Sequence, residues 1–405
     1  MRPSLLFLVP TLLSAQTYFP PPDTAGGWRT LDGAPAIRKT AGMDLNRLDG
    51  AFTYATRTSA HGGLLVARHG YLVYEKYFGQ GHRDAHPDMA SIGKAYASIA
   101  AGIVMQEKRN AIPDGLDQKV FAENYLPEAL PLNDPRKADI RLGHLLSMSS
   151  GMHGDGANPG FVRGAPGKLE PMAAPANPLD LDGNAVRVPM WTTPGEGYSY
   201  SSSSTHLASM VLRRLAGMEL QQYLDEKLAK PMGWGPWNYA LHRPAGTLPH
   251  TPGGGSIAVR STDALRFAYL LLQKGRWGKQ QLVPADYVAL CAKPSKYNTH
   301  SPFGLMFESN ATGHVPGAPR DAYFKSGAGG SAIYVVPSLD LVIYKMAGNT
   351  AQFDPALTRI PPTYSVDHSR DDWKPVPHTQ FDDGPIGGDD GVRRLLELVV
   401  AAVVR

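Results

Sequence analysis

The stretch GLLVARHGYLVYEKYF, Gly63 to Phe78, is matched near the other end of the chain by SAIYVVPSLDLVIYKM, Ser331 to Met346. Each is a pair of runs rich in β-branched and aromatic residues around a turn, His69-Gly70 in the first and Pro337-Ser338 in the second. A further short run, Tyr323–Lys325, precedes the second pair. Between the two pairs the apolar period is mainly helical, in Ser91–Gln106, Thr205–Leu215, Gln221–Leu228 and Asp263–Leu272. Strands at both ends with helices between them cannot make two sequential domains unless each sheet is very small. The economical solution is one antiparallel sheet assembled from both ends of the chain, with a helical lobe inserted. Asp44 is placed to cap a helix carrying Leu45, Leu48 and Phe52, and Asp389 or Asp390 to cap a closing helix over Gly391–Val404. The expected fold class is therefore α/β (α+β): an antiparallel sheet with flanking helices, split as 44–88 and 301–405, around a mainly helical lobe at 89–300.

The chain has 405 residues, too many for one core of ordinary size, which agrees with two lobes. Lys and Arg number 40 against 36 Asp and Glu, with no long basic run, so nucleic acid is not an expected partner. Residues Met1 to Gln16 carry an early arginine, an apolar stretch Leu5–Leu13 and a small residue, Ala15, at a cleavage position. We read 1–15 as a signal peptide, too short to span a bilayer, and 16–43 as an extended, turn-rich lead-in. The expected location is periplasmic or extracellular. The one cysteine, Cys291, cannot form an internal disulfide and reads as a small buried hydrophobe. Two long stretches lack periodicity, His153–Met190 and Thr350–Gly388, and loops of that length are commonly functional rims or disordered.

The candidate chemistry begins from absences: no Gly-x-Ser-x-Gly elbow, no His-Glu-x-x-His, no phosphate-binding glycine loop and no paired cysteines. His82 and His86 are four apart but lack a third ligand, so no metal is expected. What remains is Ser91-Ile92-Gly93-Lys94, the only Ser-x-x-Lys in the chain, at the start of a helical segment. Residues three apart share a helix face, so the amine can reach the hydroxyl. Serine is a weak nucleophile until a neighbour takes its proton, and lysine can do so only when neutral. The competing reading is a helix cap followed by a solvated lysine. Two more segments bear on the choice. Pro194-Gly195-Glu196-Gly197-Tyr198-Ser199-Tyr200-Ser201-Ser202 offers a phenol and hydroxyls on a turn before a helix. Lys325-Ser326-Gly327-Ala328-Gly329-Gly330 is a glycine-rich strand edge where backbone and ligand can approach closely.

Ser-x-x-Lys, Tyr-x-Ser and Lys-Ser-Gly in this order resemble the serine β-lactamase and penicillin-binding-protein superfamily, in the branch of class C β-lactamases, DD-peptidases and family VIII esterases. His144-Leu145-Leu146-Ser147-Met148-Ser149-Ser150-Gly151-Met152 is similar to that family's HLLTHTSGL segment. Gly253–Gly255 with Ser261–Phe267, and Phe303-Gly304-Leu305, also resemble family segments, so the likeness runs from about Asp44 to Ala347 and resumes in the closing helix. The resemblance implies an acyl-enzyme on Ser91, with Lys94 as proton acceptor and Tyr200 as second base or proton shuttle. It implies an oxyanion hole from the N–H groups of Ser91 and Ala328, with Lys325 and Ser326 beside a substrate carboxylate. It implies no cofactor. Ser202 stands where β-lactamases usually carry asparagine, a contact for the antibiotic's side-chain amide. We therefore expect a small ester or amide as substrate, and rank carboxylesterase before DD-peptidase or other amide hydrolase and before β-lactamase. A non-catalytic protein that binds penicillin or a cell-wall fragment without turnover is the alternative from another class, and the expected partner is a small ester, amide or β-lactam-like molecule. Trp191, Tyr198 and Phe161 are candidate substrate contacts on the cleft rim. The oligomeric state is not legible.

Overall fold

The computed structural model describes residues 18–156, 162–164, 174–243, 246–359 and 385–404. The expected signal segment, Phe161 and most of the 350–388 stretch lie outside these residues.

The strand pairs expected from the sequence form one six-stranded antiparallel sheet. Its strands are β1 (His61–Arg68), β2 (Tyr71–Phe78), β3 (Glu308–Ser309), β4 (Tyr323–Ser326), β5 (Ala332–Val336) and β6 (Leu341–Gly348), in the order β3-β4-β5-β6-β1-β2. The closing of the sheet from both ends of the chain is the β1–β6 pairing, whose register runs from His61 opposite Gly348 to Arg68 opposite Leu341. His69 and Gly70 both take positive φ, 52° and 75°, the mirror-image turn whose twist matches two right-twisted strands. β6 is buried along its whole length, Lys345 included, which is why apolar residues fall on both of its faces and it does not read as an alternation.

One face of the sheet is covered by α1 (Leu45–Ala55) and by the closing helix α6 (Pro385–Ala401). Leu48, Ala51 and Ala55 of the first and Val392, Leu395, Leu396 and Val399 of the second pack on Leu64, Val66, Tyr334 and Ile343. Asp44 caps α1 as expected, its Oδ1 accepting from the Arg47 N–H at 3.1 Å. The closing helix begins earlier than the sequence suggested. It starts at Pro385, a residue whose fixed φ suits a first helical position, so Asp389 and Asp390 lie inside it and are not its caps.

The other face carries α5 (Ser261–Leu272), which packs on β5 and β6 although it falls within the stretch expected in the helical lobe. Residues of the lead-in are tied to it: Trp28 donates to the Thr262 carbonyl, and Arg266, fully buried, reaches Asp23 at 2.6 Å and the Pro21 carbonyl at 2.6 Å. Beyond α5 stand α2 (Gly93–Glu107), α3 (Leu181–Arg187) and α4 (Ser202–Ala216), with α2 packed on α4 and α4 on α3. Every residue of α2 from Gly93 to Val104 is buried, so its start is held as firmly as a core strand. No described helix is long and apolar enough to cross a membrane.

Candidate active site

Ser91 sits in a single tight turn, Ala90–Ile92, that runs into α2. The approach to it is strained: Ala90 has φ 47°, in the region that side chains rarely occupy. Neighbouring segments hold that turn, with the Asp88 carboxylate accepting from the Ala90 N–H at 2.8 Å and the Ala90 carbonyl accepting from the Ser256 N–H at 2.8 Å. Glycines make the close approach possible. A Cβ on Gly93 would lie 2.8 Å from the Gly255 carbonyl carbon, one on Gly255 2.9 Å from the Ala90 oxygen, and one on Gly327 2.2 Å from the Met89 oxygen. Three backbones therefore meet around the serine with no room for side chains between them.

Lys94 lies one turn further on and is fully buried. Its Nζ is 2.8 Å from Ser91 Oγ and also donates to the Gly254 carbonyl. Tyr200 lies across from this pair, on the turn before α4. The Lys94 and Lys325 amines stand 5.0 and 5.1 Å from its ring centre, and Lys325 Nζ donates to its hydroxyl at 3.0 Å. Burial pushes the Tyr200 hydroxyl above its ordinary range, although the Lys94 charge and a hydrogen bond with Ser91 pull the other way. The resting phenol therefore keeps its proton and can pass one along between serine and lysine; a standing phenolate is disfavoured.

The third segment closes the site from the sheet. Lys325 is buried at the end of β4, and its amine also donates to the Ser326 carbonyl at 2.7 Å. Gly327, the residue before Ala328, closes on Ser91, since a Cβ on Gly327 would also stand 3.2 Å from Ser91 N. Gln352 ties the two donor segments together, its Nε2 donating to the Asp88 carbonyl at 2.9 Å and to the Ala328 carbonyl at 3.0 Å. The carbonyls on either side of the expected oxyanion hole are thus held at a fixed separation by one amide.

Beside Ser91 is a cavity of about 370 Å³ lined by Pro175, Pro178, Leu181, Ser202, His206 and Pro252 among others, with no carboxylate, lysine or arginine among its described lining residues. Ser202 belongs to this wall, but its hydroxyl is turned to Asp155, donating at 2.6 Å, while its N–H donates to the same carboxylate at 2.8 Å. Asp155 so placed serves the N-terminus of α4. Among the rim aromatics, Tyr198 is only 5% exposed and packs on Phe303 in the core, so it is no substrate contact. Trp191 is half-buried and absent from the cavity wall. Cys291 is buried, and burial pushes its thiol well up, which leaves it inert.

A serine at a helix start, a buried lysine in contact with it, a tyrosine between two amines and a glycine-edged strand form one constellation. Residues 48–358 match the family model described as Beta-lactamase. The chain belongs to the beta-lactamase family. Among solved structures, it resembles a penicillin-binding-protein homologue from Caulobacter crescentus, with a TM-score of 0.60 at 14% identity over 88% of this chain and 98% of that one. It also resembles EstCE1, described as a hydrolase with promiscuous acyltransferase activity, with a TM-score of 0.56 at 18% identity over 76% and 96%. A simvastatin synthase variant from Aspergillus terreus gives 0.57 at 15% identity over 88% and 96%. These likenesses establish a serine-hydrolase fold of the beta-lactamase family. No curated protein matches the chain.

Ser91, Lys94, Tyr200 and Lys325 converge as their motifs suggested, whereas Ser326 takes part through its carbonyl. Gly254, Gln352 and Asp155 were missed. Gly254 lies in a segment that reads as a family glycine run, but its service to Lys94 joins residues 160 apart and has no local signal. Gln352 stands in an aperiodic stretch with no motif at all.

Proposed function

We propose that this protein is an exported serine hydrolase that cleaves small, uncharged carboxylic esters through an acyl-enzyme on Ser91. The observation that carries the reading is the 2.8 Å contact between Ser91 Oγ and the buried Lys94 amine, with Tyr200 alongside. Lys94 accepts the serine proton as Oγ adds to the carbonyl carbon. The oxyanion is received by the N–H groups of Ser91 and Ala328. Tyr200, bonded to both sides of the site, returns the proton to the departing alkoxide. Water then attacks the acyl carbon, giving its proton to the same pair, and the acid leaves as Ser91 recovers its hydrogen.

Ester is favoured over β-lactam by Ser202, whose hydroxyl is spent on Asp155 and offers no amide-binding group. The described wall of the cavity, with several apolar residues and no carboxylate, lysine or arginine, favours a small neutral acyl group. A DD-peptidase reading draws on Lys325, whose amine lies beside Tyr200 where a terminal carboxylate would enter. Treatment with a fluorophosphonate followed by mass spectrometry is expected to give one adduct, on Ser91, absent from Ser91→Ala. Short p-nitrophenyl esters are expected to turn over faster than nitrocefin or D-Ala-D-Ala peptides. Folded wild type that takes no label would end the acyl-enzyme reading, and faster nitrocefin turnover would reverse the ranking. Export is tested by sequencing the N-terminus of protein recovered outside the cytoplasm.

A further inference from the structure

Lys94 is held by two acceptors, Ser91 Oγ and the Gly254 carbonyl, so whatever holds Gly254 also holds the base. The Gly253–Gly255 turn cannot hold itself by side chains, having none. At one end it is anchored by the Ser256 N–H on the Ala90 carbonyl, 2.8 Å. At the other, the Gly253 N–H donates to His206 Nδ1 at 3.2 Å. His206 lies on α4, is 4% exposed, and does not touch Ser91 or Lys94 by any described hydrogen bond.

An imidazole nitrogen that accepts a backbone N–H carries no proton, so the proton of His206 is on Nε2. That nitrogen stands 2.8 Å from Asp182 Oδ1 on α3, which accepts it. The other carboxylate oxygen of Asp182 is taken by Arg213, and His250 approaches it at 3.8 Å while bonding Glu219 at 2.9 Å. Arg213 also lies 3.8 Å from Glu219. Burial raises the proton affinity of Asp182, but the hydrogen bonds from His206 and Arg213 and the charge of Arg213 more than offset it, and the carboxyl is held well below the usual carboxylate range. The acceptor facing His206 is therefore ionised at neutral pH.

We infer that His206 is a positioning residue for acyl transfer: Asp182 fixes its tautomer, and that tautomer holds the Gly253–Gly255 turn whose carbonyl fixes Lys94. This rests on Lys94 acting as the base of Ser91, as proposed above. A structural role alone would need only the His206–Asp182 bond between α4 and α3, and the two roles depend on different ring nitrogens.

Amide side chains separate them. In His206→Asn the side-chain oxygen can take the place of Nδ1 and accept from Gly253. In His206→Gln the amide nitrogen can take the place of Nε2 and donate to Asp182, with nothing left for Gly253. The readout is the rate of fluorophosphonate labelling at Ser91, with kcat and KM for a p-nitrophenyl ester and the melting temperature of each variant. We expect His206→Asn to label within about 3-fold of wild type, and His206→Gln to lose about 10- to 100-fold in labelling and kcat with little change in KM. The reverse order, or equal rates for both, overturns the inference. Asp182→Asn is the second variant, in case His206→Gln does not fold. Arg213 will orient the new amide oxygen toward itself, which presents the NH2 to His206 and drives the ring proton to Nδ1, where it opposes the Gly253 N–H. Slower labelling of folded Asp182→Asn supports the relay, and wild-type labelling refutes it. Absence of label on wild-type Ser91 would instead refute the acyl-enzyme reading itself, so the two failures are distinct.

Discussion

Adding one carbon at Gly327 is expected to disable the nucleophile without touching any group that does chemistry. The Cβ of Gly327→Ala would stand 2.2 Å from the Met89 carbonyl oxygen and 3.2 Å from Ser91 N. Ordinary contact with the Met89 oxygen requires about 1 Å more, and neither neighbour is a side chain that can swing away. The β4 edge and the turn bearing Ser91 must separate, which carries Ala328 off the line along which both N–H groups meet an acyl oxygen. A misplacement of about 1 Å costs on the order of 100-fold in rate, and overpacking of this kind costs about 1–3 kcal/mol in stability. Gly50→Ala is the control, since that Cβ meets nothing within 4 Å in helix α1, and the change should stabilise by about 0.5–1 kcal/mol. The assay is the single-turnover rate of fluorophosphonate labelling below the melting temperature of both variants. Labelling of folded Gly327→Ala within about 3-fold of wild type would show that Ser91 and Ala328 need not be held in contact.

Lys94→Met and Tyr200→Phe should each lower the acylation rate about 10²- to 10⁴-fold, measured by p-nitrophenol release, while the proteins remain folded; full activity in Lys94→Met would remove lysine from the mechanism. Lys345 of β6 is fully buried with no hydrogen-bond partner for its amine among the described residues, and burial pushes that amine down from 10.5 to about 7. Between those values the unfolded chain binds a proton that the native one has released, so stability should rise with pH by up to about 1.4 kcal/mol per unit and level off above the ordinary lysine range. Lys345→Met should flatten that rise in urea titrations and raise the midpoint at pH 7; parallel curves for variant and wild type would contradict it. Arg266→Leu strips the buried Asp263 of a 2.6 Å partner and releases Asp23 of the lead-in, and should cost about 3–5 kcal/mol with earlier proteolysis near the N-terminus. An unchanged urea midpoint and digestion pattern would argue against that anchoring role.

Local features carried much of the reading. A strand buried on both faces carries apolar residues on both of them, as in β6 with Lys345 its one charged member, and a mirror-image turn leaves His-Gly, so the sheet built from both chain ends was legible in Gly63–Phe78 and Ser331–Met346. Ser91 and Lys94 were legible because helix geometry alone puts residues three apart on one face. Tyr200 and Lys325 needed the order of their motifs, since neither position has a periodicity of its own. The start of the closing helix at Pro385 was not legible: two glycines and two aspartates mimic a boundary, and the apolar stripe from Val392 to Val399 overrides them by packing on α1 and the sheet.

By itself, then, the sequence determined which residue types can do acyl-transfer chemistry and which runs form the sheet, because both depend on neighbours a few positions away. Tertiary structure alone decided what surrounds them. The Gly254 carbonyl on Lys94, the Gln352 amide between Asp88 and Ala328, the Asp155 carboxylate that occupies Ser202 and the His206 link to Gly253 all join residues far apart in the chain. Such contacts arise only when the sheet and the helices close on one another, and a backbone carbonyl or N–H contributes to them whatever side chain it bears, so no motif could have announced them.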